Sequence, residues 1–244
     1  MICLGSNMKK YHLVIWLALG LFSSQASAAN AQTEIRDFLK TLFSDNNQYV
    51  SELSHAHLAE YLEQQNPRAT IVACADSRVQ SNAFHSSPEN DLFFIRNIGN
   101  QIQSAQGSVE YGINHLHTPI LLIIGHSHCG AIQAALGDYS KESPAIRHEL
   151  DFLHLPKAGT VDEGVIENVH QQVAFALKKF KDKVRKGELI VVGTVYDFRD
   201  DFGHGHGRLI LIDLNGEKDA VKLKNHEYIK GLDGIAIGGS EKTQ

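Results

Sequence analysis

Cysteine is scarce in this chain of 244 residues, which has three, and tryptophan scarcer still, with Trp16 alone. Cys3 lies in a stretch expected to be removed, so a mature chain would keep only Cys74 and Cys129. One structural disulfide is the plain reading of two cysteines in an exported protein. That reading leaves unexplained the Asp, Arg and His residues beside them, which a disulfide does not need. An excess of basic charge is missing as well. The 23 Lys and Arg against 28 Asp and Glu give a net charge of -5, with the two signs interspersed, and this leaves no footprint for nucleic acid. No internal repeat and no linker divides the chain. A hydrophobic fraction of 43% and a charged fraction of 21% are ordinary for a globular protein and do not indicate disorder. The length allows one sizeable domain with a real core.

The first 28 residues stand apart. Lys9-Lys10 precedes the apolar run Leu13 to Phe22, and Ala26-Ser27-Ala28 supplies small residues where a signal peptidase would cut, so residues 1–28 read as a secretory signal peptide. The run is shorter than the ~20 residues that span a bilayer. Met8 is a conventional start for such a signal. The expected location is secreted or periplasmic, with no stable membrane insertion after cleavage and with residues 29–244 forming a single domain.

What is present is chemically pointed. Cys74-Ala75-Asp76-Ser77-Arg78 is answered some fifty residues later by His126-Ser127-His128-Cys129. Two thiolates, an imidazole and a carboxylate are soft and borderline ligands that suit Zn²⁺ better than Mg²⁺ or Ca²⁺. Each half follows an apolar run, Ala69 to Ala73 and Ile120 to Ile124, and so sits where a buried strand would empty into a loop. The carboxyl ends of neighbouring parallel strands are where open α/β sheets bind ligands. With Cys74, His126 and Cys129 on the metal, a fourth tetrahedral position is left for Asp76 or for water.

The remaining pattern fits that frame. Ile35, Phe38, Leu39 and Phe43, then Leu53, Leu58 and Leu62, recur at helical spacing and predict two helices parted by a turn at Ser44-Asp45-Asn46-Asn47. Asp91 to Arg96, Glu188 to Gly193 and Arg208 to Asp213 read as further strands. Helical segments are expected over Ser104 to His117, Gly130 to Leu136 and, as one long region, Ser143 to Lys186. The last two strands are too close in sequence for a crossover helix. The expected fold class is therefore α/β: a central, mainly parallel sheet of four strands plus an antiparallel edge strand, flanked by helices, with an N-terminal helical arm. The Gly-rich tail from Gly234 reads as frayed. His204 and His206 read as an exposed loop, and Tyr196-Asp197 as a possible subunit contact.

Cys-Ala-Asp-Ser-Arg at 74–78 and Gly-His-Ser-His-Cys-Gly-Ala at 125–131 resemble the two signature motifs of the β-class carbonic anhydrases, with similarity extending from about Gln32 to Asp213. The resemblance implies one zinc ion held by Cys74, His126 and Cys129, and an Asp76–Arg78 dyad that orients or gates the zinc-bound water. It further implies reversible hydration of CO₂ to bicarbonate and a proton by zinc-bound hydroxide, in a homodimer or homotetramer. Within the family the chain looks like the plant-type, open-site subtype, in which Gln65, Phe93 and Tyr111 would line the substrate pocket, partly from the neighbouring subunit. The other subtype places a Trp in an inhibitory bicarbonate pocket, and Trp16 falls inside the signal. His128 and His85 are candidate proton shuttles. Hydrolysis of CS₂ or COS, and a non-enzymatic zinc store or redox pair, are the competing readings.

Overall fold

A computed structural model describes residues 8–53, 59, 62–156 and 158–238, with side chains described from residue 30 onward. The signal reading of residues 1–28 thus falls on a stretch of which residues 1–7, and every side chain, lie outside the described residues. The chain forms two units, one ending at Leu62 and one beginning at Glu63.

The described part of the first unit is α1 (Met8–Glu52), a helix of 45 residues. It is continuous through Ser44 to Asn47, where a turn was expected. That stretch holds no Gly or Pro, and Ser, Asp and Asn each cost only about 0.5 kcal/mol relative to Ala inside a helix. Past it, Gln48 Nε2 donates to Glu52 Oε1 at 2.9 Å. Leu58, in the second expected helix, lies outside the described residues. Ile35, Phe38, Leu39, Leu42 and Phe43 keep helical spacing and are exposed, an apolar stripe without a partner among the described residues of its unit. Among the described residues, no helix is long and apolar enough to cross a membrane.

The second unit is built on a six-stranded sheet in the order β2-β1-β3-β4-β5-β6. Its strands are β1 (Ala69–Cys74), β2 (Leu92–Asn97), β3 (Ile120–His126), β4 (Ile190–Asp197), β5 (Arg208–Leu214) and β6 (Ala236–Ile237). The first four are mutually parallel. As the short connection required, β5 runs antiparallel to β4. It is not the edge, because β6 pairs with it in parallel, so part of the tail expected to fray is a strand. Gly238 makes that docking feasible: its amide donates to Leu211 O at 2.9 Å, and a Cβ there would come within 2.9 Å of Ile212.

Every residue of β1 is buried, as a central strand covered on both faces must be. Its side chains alternate between two apolar layers. Val72 and Cys74 face a layer with Leu121, Ile123, Val191 and Val195, while Ile71 and Ala73 face one with Ile124, Phe94 and Leu122. The helices are α2 (Gln106–Glu110), which continues through a π turn over Tyr111–His115, then α3 (Gly130–Leu136), α4 (Pro144–Leu150), α5 (Val161–Lys179), α6 (Lys181–Arg185) and α7 (Ala220–Asn225). The long region expected from Ser143 to Lys186 is thus three helices. The break holds Pro156 and Gly159, and α5 restarts on a capping box in which Thr160 and Glu163 each satisfy the other's backbone amide.

α5 covers β3 and β4 with Val165, Val169, Val173 and Ala176, all buried. The approach is close. A Cβ on Gly125 would lie 2.7 Å from Val169, and one on Gly193 2.8 Å from Val169 and 2.9 Å from Val173. Glycine at those two strand positions is what lets the helix axis come down onto the sheet.

Candidate metal centre

β1 ends at Cys74 and β3 at His126. The two strands are adjacent and parallel, so their carboxyl ends deliver both side chains to one edge of the sheet. Cys129 follows three residues later as the N-cap of α3. His128 between them has φ of 52°, the left-handed turn that folds Cys129 back toward His126. The donor atoms of Cys74, His126 and Cys129 all lie within 4.8 Å of one another, and the two sulfurs are 4.0 Å apart. All three residues are buried, at 4%, 0% and 1% exposure.

Two observations show that the trio fits a soft divalent cation. His126 Nδ1 lies 3.0 Å from Ser127 O; a proton donated there leaves the Nε2 lone pair free, and Nε2 has no hydrogen-bond partner among the described residues. A buried nitrogen left so costs about 1–3 kcal/mol unless something coordinates it. The sulfurs make the same point. Hydrogen bonding from Cys129 draws the Cys74 thiol down, while that contact and burial push Cys129 up. The pair takes one negative charge readily and a second only against a cation. Two thiolates and an imidazole are a zinc set.

Asp76 stands beside the trio without being one of it. Its Oδ1 accepts from Arg78 Nε at 2.9 Å and from the Arg78 amide at 3.0 Å, and Oδ2 accepts from Arg78 Nη2 at 2.7 Å. These bonds from the guanidinium hold the carboxyl far below the usual carboxylate range. Oδ2 comes to 3.9 Å from His126 Nε2.

Three residues that the sequence did not assign to the site hold this arrangement. Arg96, near the end of β2, donates from Nε to Cys74 O at 3.1 Å and from Nη2 to Asp76 O at 2.7 Å, clamping the loop after β1. Phe198 lies under the Arg78 guanidinium, 4.6 Å from Cζ to ring centroid, and 6.1 Å from the His126 ring. Asp197 is fully buried and accepts from the amides of Arg199, Asp201 and Phe202, which fixes the loop that carries Phe198. The signal for all three was topological: Arg96 and Asp197 close strands at the sheet edge that also holds Cys74 and His126.

The expected pocket residues are placed differently. Phe93 and Tyr111 meet each other, with ring centroids 5.8 Å apart. Phe93 is aligned with Thr70, four residues before Cys74, which is ~13 Å along a strand. Gln65 is exposed in the segment before β1, where its neighbour Asn66 donates to Asn90 Oδ1 at 2.8 Å. A single chain therefore gathers Cys74, Asp76, Arg78, His126 and Cys129 but leaves Phe93 well down the sheet from them. His128 is exposed at the rim. His85 is engaged by Asp91 at 3.0 Å, and His204 and His206 are exposed in the loop after β4.

The family model described as carbonic anhydrase matches residues 69–204, more than half of the chain. The chain belongs to the β-class carbonic anhydrases. Carbonic anhydrase 2 of Mycobacterium tuberculosis is 31% identical over 176 residues, covering 66% of this chain and 81% of that one. The chloroplastic beta carbonic anhydrase 5 of Arabidopsis thaliana is 27% identical over 194 residues, 69% of this chain and 64% of its own. Among solved structures, the β-carbonic anhydrase CcaA superposes with a TM-score of 0.61 at 25% identity, covering 74% of this chain and 95% of that chain. The Coccomyxa β-carbonic anhydrase in complex with acetazolamide gives 0.57 at 25% identity, over 65% and 82%. Both signature motifs of this carbonic anhydrase fall within the matched span.

Proposed function

We propose that this carbonic anhydrase is a zinc enzyme and that it hydrates CO₂ at the Cys74, His126 and Cys129 cluster. The observation that carries the reading is the buried donor trio with His126 Nε2 unpartnered while the adjacent carboxylate is committed to Arg78. Zinc bound there supplies a Lewis acid that makes a water molecule nucleophilic near neutral pH. The chain's own residues supply the rest. Arg78 keeps Asp76 ionised and bound to its guanidinium, so that Cys74, His126 and Cys129 would hold the zinc and Asp76 would stay free to meet solvent. Asp76 Oδ2, 3.9 Å from His126 Nε2, would accept a hydrogen bond from solvent at the cluster and so orient it toward CO₂. Phe198, against Arg78 and the His126 ring, supplies apolar surface beside a substrate that has no charge to anchor.

Gln65, Phe93 and Tyr111 are assigned to the pocket of a second copy, since Phe93 lies well below the cluster of its own chain. There Gln65 is a neutral donor for the oxygen on which charge develops. The functional form is thus a homodimer or a pair of dimers. Export is proposed on the basic, apolar and small-residue pattern of residues 1–28; amino-terminal sequencing of protein recovered outside the cytoplasm should begin after Ala28, and an intact Lys9 would refute it.

Stopped-flow CO₂ hydration on the purified mature chain, with zinc determined on the same sample, tests the main reading. One zinc per chain and turnover are expected, both lost in Cys129→Ser. A chain that folds with its two thiols joined and no zinc would overturn it.

A further inference from the structure

α5 carries two amides where its buried face should be apolar. Asn168 and Gln172 are 1% and 5% exposed and lie among Val165, Val169, Val173 and Ala176 on the same helix. Buried amides are costly unless every polar atom is used, and here all four are. Asn168 Nδ2 donates to Gly99 O at 2.9 Å and to Asn100 Oδ1 at 3.4 Å. Gln172 Nε2 donates to Asn168 Oδ1 at 3.1 Å, and Gln172 Oε1 accepts from the Ile102 amide at 2.9 Å. Apart from the bond between the two amides, each of these contacts is made to residues 99–102.

That turn needs holding. Gly99 and Asn100 have consecutive φ values of 79° and 46°, and two left-handed residues in succession are unfavourable once one is not glycine. The turn also lies against a ligand. Asn97, which opens it, is aligned with Cys74 across the sheet and accepts from the Ala75 amide at 2.9 Å, while its own side chain is held by the turn, Nδ2 donating to Gln101 O at 2.7 Å and Oδ1 accepting from the Gln101 amide at 2.7 Å.

We propose that Asn168 and Gln172 are positioning residues for the metal centre: through the 99–102 turn they hold Asn97 against the backbone that carries Cys74. The inference rests on the reading that Cys74, His126 and Cys129 bind metal. A ligand whose backbone is free to shift loses its set distance to the metal, and groups that orient ligands from behind typically change metal affinity by 10–100-fold. Neither amide touches metal or substrate.

The test is Asn168→Leu and Gln172→Met in the full chain, each loaded with Co²⁺ and compared by its thiolate-to-cobalt charge-transfer bands, with Zn²⁺ affinity measured by chelator competition. Val173→Ala, a buried apolar truncation on the same helix, is the control for destabilisation alone. Both amide variants should shift the charge-transfer bands and weaken Zn²⁺ binding by roughly tenfold, Asn168→Leu more than Gln172→Met, while Val173→Ala lowers only the melting temperature. Unchanged bands in the amide variants, or an equal shift in Val173→Ala, would overturn the inference. If Asn168→Leu does not fold, Gln172→Met decides by the same bands. A wild-type chain that takes up neither metal would instead refute the metal reading itself.

Discussion

Arg78 is the residue on which the open arrangement depends, because its guanidinium is what occupies both oxygens of Asp76. The depressed carboxyl of Asp76 means that its contribution to stability is present above the ordinary value of 3.8 and is lost only as pH falls well below it. Any acid limb of the rate profile above pH ~5 therefore belongs to another group. Arg78→Ala should free the carboxylate to approach His126 Nε2. The expected result is a loss of CO₂ hydration by roughly 10–100-fold with zinc content unchanged; full activity would show that the pair is ornamental. Asp162 behaves in the opposite sense. Burial, with the Asp201 carboxylate adding to it, raises its carboxyl above 3.8, so the folded chain holds this proton more tightly than the unfolded one and stability is lost as pH rises through that window. Asp162→Asn keeps an oxygen to accept the His128 amide. Its melting temperature relative to wild type should be higher at pH 7 than at pH 4, and an offset equal at both pH values would contradict the assignment.

At the scale of elements, the ligand loops are set by how closely α5 lies on β3 and β4. Gly193→Ala puts a methyl within 2.8–2.9 Å of Val169 and Val173, and overpacking of this kind costs about 1–3 kcal/mol, to be read as a lower midpoint in urea. An unchanged midpoint would show that the helix can lift. The strands and the convergence of Cys74, His126 and Cys129 were legible in the sequence because both signals are chemically narrow: continuous apolar runs, then Cys, Asp, Arg and His at their ends. Arg96, Asp197 and Phe198 were not, since an Arg, an Asp and a Phe are common residue types and only the sheet order brings them to Arg78 and Cys74. The turn expected at Ser44 was over-read, because Ser, Asp and Asn weaken a helix without stopping it. The break near Pro156 was under-read, because the apolar spacing resumes on both sides.

For the whole molecule, two features among the described residues find no use within one chain: the apolar stripe on α1 and the Phe93–Tyr111 pair, with Phe93 well down the sheet from the cluster. Both are accounted for if copies associate. Phe38→Glu with Phe43→Glu, two residues that are 67% and 65% exposed, should reduce the sedimentation mass to that of one chain and lower CO₂ hydration with it. A mass unaffected by two added charges would place the contact elsewhere.

The span of α5 has a consequence of its own. Near its start Asp162 lies by the backbone of His128, between His126 and Cys129, and two turns on Asn168 holds the turn that follows Asn97, the partner of Cys74 across the sheet. One rod therefore grips both arms of the centre, and a small tilt of it would move them in concert rather than apart. Variants selected for faster or slower turnover should accumulate along this helix, at positions that never meet the reactants.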